Sequence, residues 1–171
     1  MRQSFIEILR SSADERRALF SAAASDLETR AENIEKDLYV CWVLDFLFNR
    51  RRDDAIGLYF KGGTSLSKAY SLIQRFPEDI DIGIYKGDLK VPLETDIAAL
   101  PSVNQQQKAL AEQVDEAARH YISGPLKRLL EEEIAVVEEE IGQTGHFSLG
   151  RVRSLPEEGS ARHFGARTRT H

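Results

Sequence analysis

FKGGTSLSKAYSLIQRFPEDIDIGI, residues 60–84, is the stretch on which the reading of this chain turns. The apolar run 56–60 ends in Lys61, Gly62 and Gly63, the pattern of a strand entering a tight turn. Leu66, Ala69, Tyr70 and Ile73 follow at helical spacing, so a helix is expected over 64–75, stopped before Pro77. Residues 79–84 then alternate strictly, with Ile80, Ile82 and Ile84 on one side and Asp79, Asp81 and Gly83 on the other. A period of two is a strand.

These parts have a joint chemistry. Two glycines between a strand and a helix let backbone amides approach an anion, and the helix amino terminus adds a favourable partial charge, so a phosphate suits the turn. Asp79 and Asp81 project from the same face of one strand, close enough for both to ligate a hard divalent cation. Magnesium takes a few carboxylates together with water and substrate phosphates. A phosphate cradle beside paired carboxylates is the equipment for moving a nucleotidyl group. Alone, a Gly-Gly turn is usually punctuation and an Asp-x-Asp a solvated strand edge; it is their occurrence together, in strand, turn, helix, strand order, that points to a site. The loop is not of the Walker A type, because Lys68 does not directly follow a glycine after the required gap.

Outward from this core, the flanks read as helices. Phe5, Ile8 and Leu9 form a short apolar stripe, and Ser12 with Glu15 is a capping box opening a second helix. Thr29 with Glu32 repeats the device for a third helix reaching about Phe48, apolar on nearly every side from Leu38 and so expected at the centre of the domain with Cys41 as a buried thiol. Residues 50–54 read as a surface turn and 86–101 as loop. Ser102 with Gln105 caps a helix that Gly124 and Pro125 should end, and a second begins at Pro125 with Leu126, Leu129, Leu130, Ile134, Val137 and Ile141 on one face. The pair predicts a helical hairpin, its glutamates mostly opposite the apolar face. A strand is expected around 147–152.

Composition bounds the class. The 171 residues hold 23 Lys+Arg against 28 Asp+Glu, a net charge of -5, 42% hydrophobic residues and one cysteine, which suits a single soluble globular domain, one that the helices and strands read above make α+β. No apolar run reaches the roughly 18 residues of a membrane span. The amino terminus lacks the features of a secretory signal, and one cysteine makes no internal disulfide, so a reducing cytoplasm is expected. The charge is uneven: six glutamates crowd 131–140, whereas Arg151, Arg153, Arg162, Arg167 and Arg169 make 151–171 a short basic tail, set apart from a domain over 1–150.

Residues 60–84 resemble the nucleotidyltransferase core of the AbiEii/AbiGii toxin family, a branch of the DNA polymerase beta-like superfamily. Residues 35–47, EKDLYVCWVLDFL, are similar to that family's helix before the core. The resemblance implies a small mixed sheet among helices, an NTP substrate with Mg2+, and a toxin of a type IV toxin–antitoxin or abortive-infection, phage-defence system. It further implies an RNA acceptor, the 3′ end of tRNA, and a cognate antitoxin. By the same resemblance Asp79 and Asp81 are the catalytic metal carboxylates, Gly63 and Thr64 occupy the Gly-Ser position after Gly62, Thr64 or Ser65 binds phosphate, and Lys68 and Lys61 reach the triphosphate. Relatives supply a third carboxylate from a later strand similar to Lys-Ile-Glu-Phe-Gly-Ala-Arg; here residues 161–167 read ARHFGAR, with His163 at the glutamate's place and Glu157 and Glu158 nearby. The expectation is a chain short of a catalytic strand and an accessory region. Two alternatives stand beside it: a nucleotide-binding remnant without catalysis, and a helical protein binding an antitoxin or other partner through 104–141.

Overall fold

The computed structural model describes residues 2–52, 56–63, 65, 80–89, 97–145, 147–149, 153–154, 162–164 and 166–168. The α+β class holds. Helix α1 (Arg2–Arg10) buries Phe5, Ile6 and Leu9, with Ile6 rather than Ile8 completing the stripe. Helix α2 (Ala13–Asp26) opens with the expected capping box between Ser12 and Glu15. Helix α3 (Ala31–Asp45) departs from expectation at its start. Its N-cap is Arg30, without a side-chain cap, and Thr29 Oγ1 instead accepts a hydrogen bond from Asn33 Nδ2 at 2.9 Å.

A π-helical turn, Phe46–Arg50, continues α3. Trp42, Val43, Phe46 and Leu47 are buried, but Leu38, Tyr39, Val40 and Leu44 are only partly so, and Cys41 is half-buried. The all-round apolar stretch therefore lies at one side of the core instead of its centre. Phe5 stacks on Trp42 at 5.0 Å between ring centroids, and Phe147 stacks on Trp42 at 5.6 Å. Each such aromatic pair contributes about 0.5–1.5 kcal/mol beyond its buried area.

The expected helical hairpin is not formed. Helix α4 (Val103–Tyr121), capped by Ser102 Oγ accepting from Gln105 N, passes through a π-helical turn, Ile122–Leu126, directly into α5 (Lys127–Ile141). Tyr121, Ile122, Leu126 and Lys127 all keep right-handed helical torsions, so no reversal occurs. Pro125 lies within the π turn. A proline there lacks the amide a continuing α-turn would use, and the widened turn accommodates it without ending the helix. The run buries Tyr121, Ile122, Leu126, Leu130 and Val137. Its glutamates are not all solvated: Glu133 pairs with Arg2 and Arg50, Glu140 pairs with Arg2, and Glu138 accepts from Phe147 N at 3.1 Å.

Strand β1 (Leu58–Lys61) sits slightly later in the chain than predicted and pairs with β2 (Ile80–Ile84). Strands β3 (Phe147–Leu149), β4 (Arg153–Ser154), β5 (Arg162–Phe164) and β6 (Ala166–Thr168) come from the last part of the chain. One sheet has the order β1-β2-β5-β4, and β3 pairs with β6 in a second. Every pairing among the described residues is antiparallel, not mixed as the resemblance implied. Ile80 and Ile82 are buried against the helices, and Leu58, Phe60 and Ile84 pack on the same core. Short strands need such a covering, since one face must be removed from water for a small sheet to persist. No helix among the described residues is long and apolar enough to cross a membrane.

Candidate functional site

With Leu58 and Phe60 turned to the core, the alternation of β1 places Tyr59 and Lys61 on the outer face of the sheet, and that of β2 places Asp81 and Gly83 there as well. Lys61 stands opposite Asp81, and Tyr59 opposite Gly83. Directly after Lys61, Gly62 takes φ 75°, the left-handed conformation in which a side chain is strained. A Cβ at this position would come within 2.7 Å of Asp81 Cγ and closer still to a carboxylate oxygen. Gly62 thus serves twice: it permits the turn and it leaves room for the Asp81 carboxylate beside it.

Ser65 is 5% exposed, and its hydroxyl donates to Gly62 O at 2.7 Å, bracing the turn from within. Gly63 is exposed, with nothing within 4 Å of where a Cβ would stand. After the left-handed Gly62, residues 63 and 65 are helical, so the strand leads through the turn into the start of a helix, where the first amides have no intrahelical acceptor. Lys61, Gly62, Gly63, Ser65 and Asp81 are therefore brought together at one end of the β1–β2 pair. Asp79, Thr64 and Lys68 lie outside the described residues, as do Glu157 and Glu158.

Among the described residues no three His, Cys, Asp or Glu groups form a metal cluster. Asp81 nevertheless offers a hard oxygen donor against an open glycine turn, which fits a magnesium ion that completes its shell with water and phosphate oxygens.

The sheet register sets further residues beside this site. His163 stands opposite Asp81, and Arg153 opposite His163. Lys61, Asp81, His163 and Arg153 thus occupy one cross-strand row spanning all four strands. The position that the resemblance reserves for an acid is the neighbour of Asp81, and it holds a histidine. Tyr59 lies on the same outer face; its alternation with Lys61 is legible in the sequence, whereas its pairing with Gly83 follows only from the register.

No match was found among the curated proteins, and none among the solved structures. A family model described as Nucleotidyl transferase AbiEii toxin, Type IV TA system, matches residues 45–164, a span that runs from the end of α3 through the glycine turn and Asp81 to β5. A match over well over half of the chain, which includes the residues gathered at this turn, places the chain in the AbiEii family of nucleotidyltransferase toxins of type IV toxin–antitoxin systems.

Proposed function

We propose that the chain is a cytoplasmic toxin that moves a nucleotide from an NTP onto the 3′ end of an RNA, with tRNA as the acceptor, and that a cognate antitoxin restrains it. The observation that carries this reading is the Asp81 carboxylate held against Gly62 at the mouth of the glycine turn. In this reading Asp79 and Asp81 hold Mg2+, which when bound neutralises triphosphate charge and orients the reacting phosphate. The amides of Gly62, Gly63 and Thr64 receive phosphate oxygens, Ser65 braces the turn, and Lys61 and Lys68 offset the remaining charge. The acceptor hydroxyl attacks the α-phosphorus and pyrophosphate leaves. The chain's own work is positioning and electrostatic stabilisation, without a covalent intermediate.

Incubation with α-labelled NTPs, Mg2+ and total tRNA tests this. Label should pass to RNA, and Asp79→Ala or Asp81→Ala should reduce it by about a hundredfold or more. Transfer that persists in Asp81→Ala overturns the assignment. The histidine opposite Asp81 favours a second reading, a nucleotide-binding protein without transfer. Calorimetry would then show NTP binding with no labelled RNA, and His163→Glu would raise transfer above the parent.

A further inference from the structure

We infer that Tyr59 is the stacking platform for the base of the NTP whose phosphates occupy the turn after β1. This rests on the phosphate placement proposed above and extends it to the other end of the nucleotide. Tyr59 is flanked by two core-facing residues, yet it is itself 45% exposed on the outer face of the sheet. Its ring lies across Gly83 of the neighbouring strand: a Cβ at position 83 would come within 2.6 Å of Tyr59 Cε1 and nearer still to Cε2 and Cζ. Gly83 is buried beneath that ring although it carries no side chain. One side of an aromatic ring is thereby supported by backbone while the residue remains open to solvent.

The position suits a base. Tyr59 and Lys61 lie on one face two residues apart, about 6.6 Å along the strand, a separation one ribose bridges between a base and its α-phosphate. Lys61 leads into the turn, which puts a basic residue on the phosphate side of Tyr59. A ring lends affinity to any base, because every base has a π face; the gain is of the order of tenfold or more.

The probe is 2-aminopurine riboside triphosphate, with inorganic tripolyphosphate as a base-free competitor, both added to the full chain with Mg2+. Stacking should quench 2-aminopurine emission. Tyr59→Leu, and Gly83→Ala through displacement of the ring, should abolish the quenching and weaken the probe about tenfold while leaving tripolyphosphate affinity unchanged; Tyr59→Phe, which keeps the ring, should restore the quenching. If Tyr59→Leu, folded by circular dichroism, still quenches and binds as the parent does, the inference fails. Equal weakening of probe and tripolyphosphate would show that the ring only supports the fold, and would also overturn it. If the parent binds no tripolyphosphate, the phosphate placement itself is wrong and the stacking site falls with it.

Discussion

At Gly62 two demands meet, a left-handed backbone and the space taken by the Asp81 carboxylate. Gly62→Ala should therefore cost about 1 kcal/mol for the torsion alone and more for the contact, and it should also push Asp81 from its place. Thermal denaturation should show a lowered melting temperature, with label transfer lost beyond what that shift explains. Gly63→Ala meets nothing within 4 Å and should cost far less stability. Tyr39 is a second residue with a definite expectation. Burial, aided by the nearby Glu35 charge, pushes its phenol up to about 12. The folded state thus disfavours the phenolate relative to the unfolded chain, so stability is intact below about pH 10 and falls as pH rises from there towards 12. Melting curves across that window should flatten in Tyr39→Phe.

Among the elements, α2 depends on its start. Ser12 and Glu15 cap one another, with Ser12 N donating to Glu15 Oε2 at 2.8 Å, and Ser12→Ala should destabilise by about 1 kcal/mol in chemical denaturation. The α4–α5 run yields a sharper test. Spin labels at the exposed positions Val103 and Val136 should lie about 50 Å apart, from a rise of about 1.5 Å per residue, whereas a hairpin would bring them within about 20 Å. Pulsed electron resonance reads the difference directly. Within the same run Leu130 is almost wholly buried, and Leu130→Ala should cost about 2–5 kcal/mol, depending on how far the surrounding helices collapse into the space.

Across the molecule, ion pairs join α1, the end of α3 and α5. Arg50 Nε donates to Asp45 Oδ2 at 2.8 Å and Arg50 also pairs with Glu133; Arg2 pairs with Glu133 and Glu140, and Arg10 donates to Glu140 O. Burial pushes the Asp45 carboxyl up, but hydrogen bonds from Asn49 and Arg50 outweigh it and hold the group below its ordinary value. Glu140 is likewise held low, by its hydrogen bond from Arg2. A depressed carboxylate stabilises the fold above its unfolded pKa and loses that contribution as pH falls through the folded one. Melting temperature should thus hold steady above about pH 5 and drop below about pH 4, and the drop should be shallower in Arg50→Ala. By itself the sequence determined the α+β class, the two core strands, the glycine turn after the first of them and the Ser12 cap, because each is written in local periodicity and short spacings. Gly124 and Pro125 misled, since a π turn satisfies locally what an α-turn could not. The tertiary structure alone decided that β5 lies beside β2, with His163 in register with Asp81, and that Tyr59 covers Gly83. Strand register across long separations depends on which faces bury their apolar side chains together, and no local pattern encodes it.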